Sequence, residues 1–243
     1  MEEGIIKKAV LETYPYLLFG ESFNDGHLGG CNIYGDPGSE CPKMWKYIID
    51  KYNVKSVLDV GCGFGFHLKY FKDILGLEIY GVEGSDKVKN LSFFPNEIIS
   101  HDYSNGLSPM SKNVDFVWSV EFVEHVSSQY VDNFMSDISK GSYAIITHAI
   151  PGQAGHHHVN CQHLEYWVDV FSRYGFSYDP EETQNVRKLA LEDYNDYINW
   201  LKINPLERDF RTFASNESDS NANKFGNSQA HVAENAIFFK KIN

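Results

Sequence analysis

Apolar residues first settle into a clear rhythm at Met44 to Tyr52, where they recur at helical spacing. Val54 to Val60 then forms a short apolar run ending at Gly61, as a strand buried on both faces would. His67 to Leu75 reads as a helix, Glu78 to Glu83 as a strand, Glu97 to His101 as a shorter strand and Val114 to Val120 as another. Beyond them come a helix near Gln129 to Ser139, a strand at Tyr143 to Ala149 and a helix near Leu164 to Tyr174. Strands alternating with helices in this way predict an α/β fold, a doubly wound, mostly parallel sheet with helices on both faces. The flanks are less regular. Residues 5 to 19 mix apolar and charged positions at roughly helical spacing, and Gly20 to Pro42 is rich in Gly, Asn, Asp and Pro, which predicts a long ordered loop or lid. Leu189 to Ile203 looks helical, Ser215 to Gln229 is a polar stretch expected to be a mobile surface loop, and Ala236 to Lys241 is a final strand. No internal repeat is visible.

At 243 residues the chain suits one core with decorations. We divide it as a single domain over residues 1–243, with a lid or cap segment at 1–43, a core at 44–180, and a helical insertion with the final strand at 181–243. The hydrophobic share of 42% and charged share of 22% are those of an ordinary globular protein. A net charge of -12 argues against a nucleic-acid partner, because phosphate binding draws on clustered Lys and Arg. Cys31, Cys41, Cys62 and Cys161 make no C-x-x-C pair, so a disulfide framework is not expected and a reducing, cytoplasmic setting fits. The acidic start Met1-Glu2-Glu3-Gly4, with no long apolar run after it, reads as neither a signal peptide nor a membrane span.

Candidate chemistry begins at Asp59-Val60-Gly61-Cys62-Gly63-Phe64-Gly65, where three alternating glycines follow an apolar strand and precede a helix. Glycines there allow a tight turn and a close approach of backbone to a ligand. The G-x-G-x-G spacing lacks the third glycine of the dinucleotide fingerprint, which disfavours an NAD-dependent oxidoreductase, and it is not a Walker loop. The next strand ends in Glu83, whose carboxylate could accept both hydroxyls of a ribose. The strand after that ends beside Asp102, within reach of an adenine amino group.

A glycine loop, a glutamate and an aspartate at three successive strand ends resemble the cofactor site of class I S-adenosylmethionine-dependent methyltransferases, a resemblance covering about residues 44 to 180. It implies a seven-stranded Rossmann-like sheet and S-adenosyl-L-methionine as cofactor. Carried over, Asp59 organises the glycine loop (Gly61, Cys62, Gly63, Phe64 and Gly65) and the amino-acid end of the cofactor. Glu83, with Gly84, holds the ribose, and Asp102, with Tyr103, holds the adenine. Phe64 and either Val120 or Glu121 line the same cleft.

Methyl transfer to a hydroxyl is an in-line displacement that needs alignment, exclusion of water and a base, for which histidine is the leading residue type. Two clusters supply histidines. Glu121-Phe122-Val123-Glu124-His125 would place both glutamates and His125 on one face if helical, and it resembles the E-x-x-E-H segment that follows the fourth strand in many small-molecule methyltransferases. The other cluster runs from Thr147 to His163 and holds five of the ten histidines. The base is expected among His156, His157 and His158, then His148, then His125. His156, His158, Cys161 and His163 could in principle bind a metal, but no familiar zinc spacing appears and no metal site is expected. The run from Gly29 through Trp45, together with the Thr147–Asn160 loop, looks like a group of bacterial and viral methyltransferases often placed near glycan or cell-surface biosynthesis.

The leading reading is O-methylation of a small hydroxylated acceptor, such as a sugar or glycan, with Tyr34, Trp45, Tyr166 and Trp167 suited to packing on a polyol. An N-methyltransferase acting on an amine or protein side chain keeps the same fold with less need of a base, and a non-catalytic S-adenosylmethionine-binding protein is a further alternative. Oligomeric state is not legible.

Overall fold

The computed structural model describes residues 27–31, 36–153, 155–203 and 230–242. The expected helix over residues 5–19, the polar stretch at 215–229 and Tyr34 lie outside the described residues.

Strands β1 (Ser56–Val60), β2 (Glu78–Glu83), β3 (Ile98–Ser100), β4 (Val114–Ser119), β5 (Gly141–Ile146), β6 (Phe176–Tyr178) and β7 (Ile237–Lys241) form one sheet in the order β3-β2-β1-β4-β5-β7-β6. From β3 to β5 neighbours run parallel, whereas β7 pairs antiparallel with both β5 and β6. This is the doubly wound Rossmann order with an antiparallel strand set between the last two positions. The sequence gives no sign of that insertion, and β6, three residues long, is too short for its periodicity to be seen.

Two-residue alternation sorts the sheet's side chains into two cores. Phe116, Trp118, Ile145 and Phe238 face one side, where α1 (Pro42–Tyr52), α2 (Phe66–Asp73), α6 (Pro180–Ile203) and α7 (His231–Asn235) cover them with Trp45, Ile48, Phe71, Val186 and Val232. Val117, Ala144, Ile146 and Phe239 face the other, under α4 (Val131–Ile138) and α5 (Leu164–Arg173) with Phe134, Met135, Trp167 and Phe171. The Phe171 and Phe239 rings stack with centroids 3.8 Å apart. Trp45 and Trp167, read as suited to packing on a polyol, are instead fully buried core residues, because their large apolar rings gain most from complete burial. Tyr166 packs edge-on against Trp167.

α3 (Asp86–Leu91), on the β3 side of the sheet, starts at Ser85, whose hydroxyl accepts from the Val88 N–H. α6 begins nine positions before the Leu189 expected from periodicity. Its start is marked by Pro180 at the first turn, Glu181 and Glu182 near the positive end, and an Asp179 carboxylate accepting the Glu182 N–H at 2.9 Å. α1 has no cap of its own: Cys41 precedes it, and the Asp193 carboxylate from α6 accepts the Lys43 N–H at 3.1 Å and the Met44 N–H at 3.2 Å. No described helix is long and apolar enough to cross a membrane.

Candidate functional site: a cleft at the carboxyl ends of the strands

Beyond β1 the chain turns through Gly61, Gly63 and Gly65 at φ of 80°, 53° and 79°, left-handed angles at which a side chain is strained. Gly61 also has no room for one, since a Cβ there would lie 2.5 Å from the Phe122 ring. The turn is pinned to β2: the Gly61 and Cys62 N–H groups donate to the Val82 carbonyl at 2.9 and 3.2 Å. Glu83, ending β2, accepts the Gly63 N–H on Oε2 and the Ser85 N–H on Oε1, each at 2.9 Å. Its carboxylate thus fixes the loop while facing the cleft.

Asp59 is 2% exposed and its Oδ2 has no hydrogen-bond partner. Burial, and then the charge of Glu83, push its carboxyl well above the usual carboxylate range. The Trp118 indole N–H donates to His67 Nδ1 at 3.0 Å, and burial pulls that imidazole down to about 4, so it stands neutral 3.9 Å from Asp59. Asp102 accepts the Ser104 N–H at 2.8 Å, the Ser104 hydroxyl at 2.7 Å and a His27 ring contact at 2.6 Å. Burial alone would raise its pKa, but the hydrogen bonds from His27 and Ser104 prevail and hold it below its ordinary value.

These strand ends open into a cleft of about 460 Å³. Of the residues expected to bind cofactor, Gly61, Glu83, Gly84, Asp102, Tyr103 and Glu121 line it. Asp59, Cys62, Gly63, Phe64 and Gly65 stand behind that wall, with Phe64 packed on Val88, and Val120 is likewise outside the lining. Residues 27–31 form a strap across the opening, a feature not located within the expected lid by sequence alone. His27 reaches Asp102. Leu28 lies over Gly84, where an added Cβ would be 2.8 Å from Leu28 Cδ2, and Gly29 passes so close to His125 that an added Cβ would be 2.6 Å from its ring.

Glu121 to His125 is not a helix: it is a turn entered with Glu121 at φ 52°. The E-x-x-E-H spacing does suit a helix, but here Glu121 donates its N–H to Thr147 Oγ1 at 2.8 Å, and the Glu124 carbonyl accepts the Val159 and Asn160 N–H groups at 2.9 and 3.0 Å. Tertiary bonds to the histidine loop replace those of a helix, and the three side chains still converge. His125 and His157 line the cleft, and the His125 and His158 rings meet edge to face at 5.1 Å. Burial, and then His158, hold His125 down to about 4. His156 is exposed and outside the lining. His148, 4% exposed, is held by the Gln162 carbonyl at 3.0 Å and is also outside it. His231 Nδ1, from α7, stands 3.4 Å from Glu121 Oε1, a partner with no signal in the local sequence.

Residues 58–140 match a methyltransferase domain. No curated protein matches the chain by sequence. Among solved structures, phosphoethanolamine N-methyltransferase 2 of Haemonchus contortus in complex with S-adenosyl-L-methionine is similar with a TM-score of 0.53 at 18% identity, over 82% of this chain and 51% of that one. A SAM-dependent methyltransferase from Archaeoglobus fulgidus gives 0.47 at 23% identity, over 66% of this chain and 74% of that one. Magnesium protoporphyrin IX methyltransferase from Synechocystis gives 0.48 at 14%, over 72% and 90%. At 18% identity the likeness to the Haemonchus contortus structure is one of fold. The domain match and the fold together support an enzyme of the class I S-adenosylmethionine-dependent methyltransferase kind. The cleft fits that cofactor: its volume is in the range of small-ligand sites, its floor at Gly61 admits no side chain, and carboxylates stand at the ends of β2 and β3.

Proposed function

We propose that the protein is an S-adenosylmethionine-dependent O-methyltransferase for a small hydroxylated acceptor such as a sugar or glycan, with His157 as general base. The observation that carries this reading is that His157, one of the histidines expected to act as base, lines the same cleft as Gly61, Glu83 and Asp102. Bound there, the cofactor supplies an electrophilic methyl group on sulfur. Glu83 would accept hydrogen bonds from the ribose hydroxyls, Asp102 and Tyr103 would hold the adenine side, and Asp59, buried behind the glycine turn, would support it from below. The strap at residues 27–31, as part of the lid segment, excludes water, which strengthens the polar interactions within. His157 takes the acceptor hydroxyl's proton as the oxygen–methyl bond forms and the sulfur–methyl bond breaks, leaving S-adenosylhomocysteine.

The test is a methyl-donor assay against sugars, nucleosides, amines and lipids, read by product mass, on the wild type and on H157A. The expected result is a methylated hydroxyl compound, with turnover in H157A reduced about 10²- to 10⁴-fold and S-adenosylhomocysteine binding retained by calorimetry. Methylation of amines alone, or an H157A variant as fast as the wild type, overturns the reading.

A further inference from the structure

We propose that Glu121, Glu124, His125 and His158 form a divalent-cation site in the wall of the cleft. Among the described residues, these four bring one ligand atom each to within 4.8 Å of one another. A six-coordinate cation with bonds of about 2.1 Å holds neighbouring ligands roughly 3 Å apart and opposite ones about 4.2 Å apart, so small side-chain rotations close the group around an ion. The quartet differs from the one the histidine loop suggests: Cys161, His156 and His163 take no part, and the two glutamates and His125 replace them.

A second observation points to the same ligand. Glu124 is 1% exposed, and its Oε2 has no hydrogen-bond partner; His125 Nδ1 is also buried and unpaired. Buried polar atoms are nearly always satisfied, and two orphans within one cluster of donor groups are explained together by an absent cation. The frame is rigid. The Glu124 carbonyl ties the 121–125 turn to Val159 and Asn160, and the Asn160 amide donates to the Val123 carbonyl at 3.2 Å. His231 stands behind Glu121, where it orients the carboxylate.

Two carboxylates with two imidazoles suit a borderline or hard divalent ion, Mn²⁺ before Zn²⁺, since a closed tetrahedral zinc site is usually built with thiolates or imidazoles. Four protein ligands leave two positions of an octahedron. Glu121 and His125 line the cleft, so those positions face it. This part rests on the proposed O-methyl transfer: two adjacent hydroxyls of a sugar would fill both positions, and the bound hydroxyl would give up its proton to His157 more readily.

The experiment uses the full chain, stripped with chelator and titrated with MnCl₂ by calorimetry and electron paramagnetic resonance, with CoCl₂ followed by visible absorption. Saturable binding of one equivalent is expected, weakened about tenfold or more in E124Q and H158A, with S-adenosylhomocysteine binding retained in both. Should either variant fail to fold, paramagnetic broadening of the His125 and His158 ring protons in the wild type gives the same answer. No saturable binding of Mn²⁺, Co²⁺, Mg²⁺ or Zn²⁺, or binding that leaves those ring protons sharp, overturns the site. Loss of S-adenosylhomocysteine binding in the wild type would instead overturn the methyltransferase reading, and the two failures are separate.

Discussion

His67 shows how burial sets the charge state of a single residue. Because the Trp118 N–H occupies Nδ1, the imidazole proton sits on Nε2 and the ring is neutral. Burial lowers its pKa to about 4, with Asp36 opposing in part. The unfolded chain therefore binds a proton near pH 6.5 that the folded chain resists until about 4, so stability falls as pH drops through that window. At about 1.4 kcal/mol per unit, the loss reaches roughly 3 kcal/mol. Asp59, whose carboxyl is pushed up, acts with the opposite sign, so the comparison is best made against H67Q, which keeps an acceptor for Trp118. Urea denaturation at pH 7.5 and pH 4 should show the wild type losing more stability than H67Q, and a constant difference between them would count against a neutral buried His67. That carboxylates stand at the end of β2 and just beyond β3, at Glu83 and Asp102, was readable in the sequence because each follows a run of strand character. His231 and the orphaned oxygen of Glu124 were not, since their meaning depends on groups brought together from distant parts of the chain.

For elements, the glycine turn and the strap make contrasting demands. A Cβ on Gly61 would press into the Phe122 ring at a left-handed φ, whereas one on Gly84 would meet the free end of the Leu28 side chain. G61A is expected to cost about 1–3 kcal/mol or more and to abolish cofactor binding, and G84A to cost less than about 1 kcal/mol. Denaturation and calorimetry on both variants check this, and equal effects would mean that the turn is no tighter than the strap. Apart from the six-residue α3, which was not read, the helix and strand periods were legible through β5 because each element buries one stripe or one run of apolar residues. Whether residues 121–125 form a helix was left open by the sequence: the spacing suits one, but the segment is a turn because its bonds go to Thr147, Val159 and Asn160. β6 and the antiparallel setting of β7 escaped because short strands and strand direction leave no periodic trace.

Taken as a whole, the molecule couples cofactor binding to its stability. A ligand that binds only the folded state at about 100 times its Kd adds about 2.7 kcal/mol. For a chain of this size each kcal/mol moves the melting temperature by about 2–4 °C, so saturating S-adenosylhomocysteine should raise it by about 5–11 °C. Differential scanning calorimetry measures this directly, and an unmoved transition would leave the cleft without its expected occupant. The fold class was legible because alternation survives any decoration of the loops. The strand order was not, since after the long α6 the chain returns to set β7 between β5 and the edge strand β6.

That return has a consequence during synthesis. β5 ends at Ile146, but its antiparallel neighbour begins at Ile237. At translation rates of about 5–20 residues per second, the ribosome needs roughly 5–18 s to make the intervening chain. Through that interval the nascent polypeptide carries a row of unpaired amide and carbonyl groups beside Ala144 and Ile146, an adhesive margin that a chaperone or a wrongly placed strand can occupy before Phe238 and Phe239 arrive to seal it.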